Sequence, residues 1–238
     1  MHFLGLLACA EASADCIPVD QIPFVISEPG SYCLVKSFHV DMRLGAAIDI
    51  KSDDVSLDFA GNTVRNTHGT ETETSGVRAR DQWNISISGG TLAGFERGVE
   101  INGTVARCDL SAWYRVDGMR IQDSGMFGMQ LIGCNMVVSN NWIARVGYSG
   151  DGDARGISLN GSQISVIGND VQGVVGSSRS AGGINIGGDA GIVEGNRIQM
   201  SPNGVFMPSG PAVKYRDNTT TEIAQYRYKG GDDAGGNI

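Results

Sequence analysis

The chain has 238 residues, enough for one elongated domain or one large compact one, and no linker, low-complexity block or shift in composition divides it. A hydrophobic content of 41% excludes a disordered chain, and 35 glycines against 6 prolines suit many tight turns between short extended segments. The formal charge of −8 argues against nucleic acid, which proteins bind largely by neutralising phosphates with Lys and Arg. It also weighs against polyanionic glycans, unless a local basic patch or Ca²⁺ bridges the charge.

Residues 1–14 read as an export signal. Phe3 to Ala10 is a short apolar run, and Ala12-Ser13-Ala14 offers a small-residue cleavage site before Asp15, although no Lys or Arg precedes the run. Leu6-Leu7-Ala8-Cys9 also matches a bacterial lipoprotein box. The expected location is therefore secreted or periplasmic, with lipid anchoring through Cys9 as the alternative. Nothing after residue 14 approaches the roughly 18 apolar residues of a membrane-spanning helix.

Residues 15–45 are expected to form an N-terminal cap. Cys16 and Cys33 flank the start of this segment, and in an exported chain a disulfide between them is the natural reading. Cys108 and Cys134 lie 26 residues apart and read either as a second bridge or as two buried free thiols. No Cys or His spacing suggests zinc.

Residues 46–220 repeat one frame seven times, at Ala47-Ile48-Asp49-Ile50-Lys51, then from Gly76, Gly98, Gly128, Gly156, Gly183 and Gly204, with starts 29, 22, 30, 28, 27 and 21 residues apart. Repeats of this length signal stacked units. In every frame the second and fourth residues are apolar, from Ile48 and Ile50 to Val205 and Met207. A period of two means strands. Farther along each repeat stands a second marker, occupied by Asn62, Asn141, Asn169, Asn196 and Asn218, and by Gly90 and Met119 in the remaining two. Residues five and three before it and two after it should point inward, as with Ile164, Val166 and Val171 around Asn169. The parity changes at the Asn, so it sits in a bend, where it is expected to bond to the same Asn one coil away. Residues 221–238, polar and Gly-rich, are expected to form a C-terminal tail or cap.

This pattern resembles the right-handed parallel β-helix of the pectate-lyase-like superfamily, which implies an all-β, single-stranded solenoid of about seven coils. The segments Asp15-Cys16-Ile17-Pro18, Ile26-Ser27-Glu28-Pro29-Gly30-Ser31-Tyr32-Cys33 and Asp54-Val55-Ser56-Leu57-Asp58-Phe59-Ala60-Gly61-Asn62 look like those of exported bacterial β-helix repeat proteins of unsettled activity. So do Lys214-Tyr215-Arg216-Asp217-Asn218 and Gly230-Gly231-Asp232-Asp233-Ala234-Gly235.

The resemblance implies that ligands lie along the outer face of the first strand. One outward column there should run Asp49, Arg78, Glu100, Gln130, Ser158, Asn185, Phe206, and the next Lys51, Arg80, Asn102, Ile132, Asn160, Gly187, Pro208, with neighbours about 4.8 Å apart. Asp49, Arg78 and Glu100 alternate in sign and read as an ion-pair ladder or as part of a site. Lys51 above Arg80 would repel unless a bound uronate carboxylate, a nearby Asp or solvent relieved it. Loops 65–75, 144–155 and 172–182 could wall a groove with His68, Glu71, Glu73, Tyr148, Arg155 and Arg179, and Asp151 and Asp153 are candidate Ca²⁺ ligands.

Two functional readings emerge. The first is an exported carbohydrate-binding or structural protein that presents Asp49, Glu100, Asn102, Gln130, Asn160, Tyr148 and Arg155 to a polysaccharide or cell-surface glycan. The alternative is a lyase or epimerase on uronate-containing glycans, with Arg80, Lys51 and Arg78 as base and carboxylate neutraliser. The clustered Asp motifs of hydrolases with this resemblance are missing.

Overall fold

The computed structural model describes residues 16–69, 71–103, 113–147, 152–208 and 213–238. The export signal with Cys9, and Cys108, Tyr148 and Asp151, lie outside the described residues. The chain forms a parallel β-solenoid of about seven turns, and no helix occurs among the described residues. Each turn contributes strands to three sheets, exemplified by Glu73–Arg80, Ile85–Ser88 and Thr91–Ala93. Every strand pairs in parallel with its counterpart one coil away.

The inward positions read from the sequence are the core. All fourteen apolar frame residues, from Ile48 and Ile50 to Val205 and Met207, are buried. So are the inward residues of the second and third sheets, Gly191 alone being half-buried. Each large side chain stabilises by about 1.5–3 kcal/mol against the entropy of ordering its coil, so a lone coil gains too little and stacking is obligatory.

The frame glycine has a packing cause. A Cβ on Gly128 would stand 2.5 Å from the carbonyl oxygen of Gly156 and 2.6 Å from Ile143, and one on Gly156 would meet Gly183 at 2.7 Å and Val171 at 2.3 Å. The first strand thus packs so closely on the next coil and on the third sheet that a side chain at these glycines would force the coils apart, and of the seven frames only the first, with Ala47, carries one there.

The asparagine bend forms a ladder through the interior. Asn141 donates from Nδ2 to Oδ1 of Asn169 at 2.9 Å, Asn169 to Asn196 at 2.9 Å, and Asn196 to Asn218 at 3.0 Å. Each rung also takes the backbone N–H of the Asn before it, as with Asn141 N to Asn169 Oδ1 at 3.0 Å. Asn62 stands apart from the ladder, because Gly90 and Met119 separate it from Asn141. At Gly90 a Cβ would lie 2.1 Å from that of Phe59, so no side chain can hold this place. Asn62 instead donates to the Leu34 carbonyl at 2.9 Å.

Both ends continue the coil pattern. Within 15–45, Phe24–Ile26 pairs with Leu44–Ile50, Gly30–Leu34 with Val55–Asp58, and Phe38–Val40 with Thr63–Asn66. A Cys16–Cys33 disulfide closes this segment. Cys134 is also disulfide-bonded. At the other end Thr219–Lys229 pairs with Arg197–Phe206, and Asn218 donates to Asn237 at 3.1 Å, one further rung of the ladder.

Candidate functional site

The first sheet aligns the outward columns as the frame requires. Asp49 pairs with Arg78, Arg78 with Glu100, Glu100 with Gln130, Gln130 with Ser158, Ser158 with Asn185, and Asn185 with Phe206. In the next column Arg80, Asn102, Ile132, Asn160 and Gly187 are in register. The first column is not open to solvent: Glu100, Ser158, Asn185 and Phe206 are buried and Gln130 is half-buried, whereas Asn160 in the next column is exposed. Chain outside the strands folds over this face, as where Asn185 donates to the Ser180 carbonyl at 3.1 Å.

The charges are paired within the face. Arg78 grips Asp49 through two bonds, of 3.1 and 2.8 Å, and Lys51 Nζ lies 3.3 Å from the same carboxylate. Burial alone would raise the Asp49 pKa, but Arg78 and Lys51 outweigh it and hold the carboxyl below its usual range. Glu100 accepts from Ser75 Oγ at 2.6 Å, from Asn102 Nδ2 at 2.8 Å and from Arg80 at 3.1 Å. Lys51 and Arg80 therefore each carry a carboxylate of their own, Asp49 and Glu100, and their stacking does not call for a bound anion. The Asn102 Oδ1 is buried without a partner among the described residues.

Farther along, Arg155 bonds Asp153 through two nitrogens and Ser158 Oγ at 3.1 Å. Ser178 and Ser180 donate to Asp153 Oδ1 at 2.9 and 2.7 Å. Against burial, which acts to raise it, these partners keep the Asp153 pKa low. Asp153 thus ties two loops together with both oxygens engaged, and no three His, Cys, Asp or Glu side chains converge as a metal site among the described residues.

A groove runs beside these columns as two clefts. The larger, of about 520 Å³, lies over Arg43, Glu71, Thr72, Met126 and Ala154. The smaller, of about 370 Å³, is floored by Ser75, Arg78, Arg80 and Glu100 and flanked by Arg97. Leu44, Glu73 and Glu96 line both clefts, so the two meet there. Next to Arg43 in sequence, Met42 is held by the Asn66 side chain, which accepts from Met42 N and donates to Met42 O, both at 2.9 Å. His68 Nδ1 lies 2.6 Å from Asp41. The guanidinium groups of Arg97 and Arg155 lie 5.9 and 5.8 Å from the Phe127 ring.

Glu96 is the residue that the repeat reading missed. It pairs with Arg97 at 3.1 Å, yet burial foremost, helped by the charges of Glu73 and Glu100, pushes its carboxyl pKa up against that arginine. It stands two residues before the Gly98 frame, where other coils carry Thr74, Met126, Ala154 and Ala181. Extending the frame two residues upstream would have exposed one acid among small and apolar neighbours. Comparison with protein-family models, curated proteins and solved structures finds no match for the chain.

Proposed function

We propose that this chain is an exported carbohydrate-binding protein of the pectate-lyase-like β-helix type, holding a polysaccharide along the groove beside its first sheet. The observation that carries this reading is the groove itself: two clefts, each within the roughly 300–1,000 Å³ range of ligand sites, joined along one rigid face. A solenoid presents such a face over several coils, which suits an extended ligand. The Cys16–Cys33 disulfide suits an oxidising compartment, and no helix among the described residues is long and apolar enough to cross a membrane.

The lyase or epimerase alternative asks Arg80 or Lys51 to give up a proton and act as base. Each is already paired with a carboxylate, Glu100 at 3.1 Å and Asp49 at 3.3 Å, which supports the binding reading. Affinity electrophoresis through gels containing polygalacturonate, alginate, xylan or chitosan tests the proposal. Retardation by at least one polymer, weakened in Arg80→Ala, is expected. Unchanged mobility in all four removes the reading.

A further inference from the structure

A separate cavity opens on the outer face of the second sheet. It measures about 430 Å³, within the roughly 300–1,000 Å³ of small-ligand sites, and among the described residues it shares no lining residue with either cleft of the groove. Strand register builds it. Tyr114 pairs with Met136 and Met136 with Ile164, so the residues just before them, Trp113, Asn135 and Gln163, stand on three successive coils. From the first of these coils to the third is roughly 10 Å, at about 4.8 Å per coil. Arg115 pairs with Val137 beside them. The apolar part of the lining is the Trp113 indole, 41% exposed, with half-buried Val137. The polar part is two primary amides, of Asn135 and Gln163, and one guanidinium, of Arg115.

Arg115 holds its carboxylate loosely. Asp117 Oδ2 lies 3.7 Å from it, longer than the about 2.7–2.9 Å of a direct charge-assisted bond. Asp117 is secured by other groups, since its Oδ1 accepts from Ser139 Oγ at 2.6 Å and from Asn140 Nδ2 at 3.0 Å. Arg78, by contrast, holds Asp49 at 2.8 Å. The Tyr114 hydroxyl is committed as well, donating to the Gln82 carbonyl at 2.9 Å.

We infer that this cavity binds a small aromatic carboxylate, with the ring on Trp113 and Val137 and the carboxylate on Arg115. The site is additional to the groove and does not depend on what the groove holds. An indole offers a flat apolar face to a planar ring. A guanidinium takes a carboxylate through two parallel bonds, which a neutral ring would leave unused and a cationic ring would oppose. The amides of Asn135 and Gln163 can donate to or accept from substituents on the ring.

The full chain is titrated with naphthoate, naphthamide and galacturonate, followed by saturation-transfer NMR and calorimetry. Naphthoate should bind. Naphthamide, flat but uncharged, and galacturonate, charged but not flat, should each bind at least about tenfold more weakly. Arg115→Ala should bring naphthoate down to the level of the amide, and Trp113→Ala should weaken both naphthyl compounds alike. Leu44→Arg, in the groove, should change neither. The three probes on the unaltered chain decide the matter even where Trp113→Ala fails to fold. Naphthoate that does not bind at millimolar concentration, that is matched by its amide, or that is undiminished in folded Arg115→Ala overturns the inference. Galacturonate bound as tightly as naphthoate removes the aromatic class. Binding lost in Leu44→Arg and kept in Trp113→Ala moves the ligand to the groove and overturns the site.

Discussion

Replacing Asn169 by Ala should be among the most costly single changes in the solenoid. Asn169 is 1% exposed. Its Oδ1 accepts from the Asn141 backbone N–H at 3.0 Å and from Asn141 Nδ2 at 2.9 Å, and its Nδ2 donates to Asn196 Oδ1 and the Val138 carbonyl, both at 2.9 Å. Truncation strands the buried Asn141 N–H, at about 1–3 kcal/mol, and deletes the two 2.9 Å outgoing bonds, worth about 1 kcal/mol each, with a longer third one of 3.2 Å to the Ile167 carbonyl. The expected loss is about 2–5 kcal/mol, read as a lower urea midpoint in far-ultraviolet circular dichroism at unchanged slope. Asn62→Ala is the internal control. Asn62 is partly exposed and outside the ladder, donating to Leu34 at 2.9 Å and accepting a long, exposed bond from Ser37 Oγ at 3.5 Å, so its loss should cost only about 1 kcal/mol. Equal costs for the two variants would refute the claim that the amide stack, rather than the bend alone, secures the coils.

Gly156→Ala should destabilise by about 1–3 kcal/mol or more, because its Cβ would stand 2.3 Å from Val171 and 2.7 Å from the Gly183 carbonyl; thermal denaturation measures it. Replacing Cys16 and Cys33 together by Ser should cost about 3 kcal/mol for a bridge spanning 17 residues, read as a lower urea midpoint. Glu96→Gln should raise the melting temperature at neutral pH. The folded pKa of Glu96 is raised, so this group's contribution is full below the unfolded value of 4.5 and falls as pH rises through the folded value. The gain over wild type should therefore vanish in acid, and a gain that persists there would contradict the shift.

The core could be read from the sequence because strand periodicity and stacking are both local rules. Ile157 and Leu159 repeat the pattern of Met129 and Leu131, and the resulting register sets Gln130 against Ser158. The bend asparagines carried the same information, since a buried amide needs a partner and the next coil supplies one. The surface was less legible. Alternation gives the direction in which Glu100 or Ser158 points but not the chain that folds over them, so a column expected at the surface is largely buried. The pairing of Lys51 with Asp49 and of Arg80 with Glu100 joins neighbouring columns, which stacking alone does not specify. Asn237 was hidden because its coil lacks the apolar frame. Glu96 was hidden because it lies upstream of the frame, and its character comes from Glu73 and Glu100 in other strands.

The most direct measurement places an obstacle at the junction of the clefts. Leu44 is 69% exposed and lines both, so Leu44→Arg leaves the core untouched while filling the passage between them. Paired with Arg115→Ala on the outer face of the second sheet, it separates the two surfaces. The account predicts that polysaccharide retardation disappears in Leu44→Arg and survives in Arg115→Ala, with both variants folded by circular dichroism. Retardation that survives in Leu44→Arg and disappears in Arg115→Ala would place the ligand on another face and contradict the account.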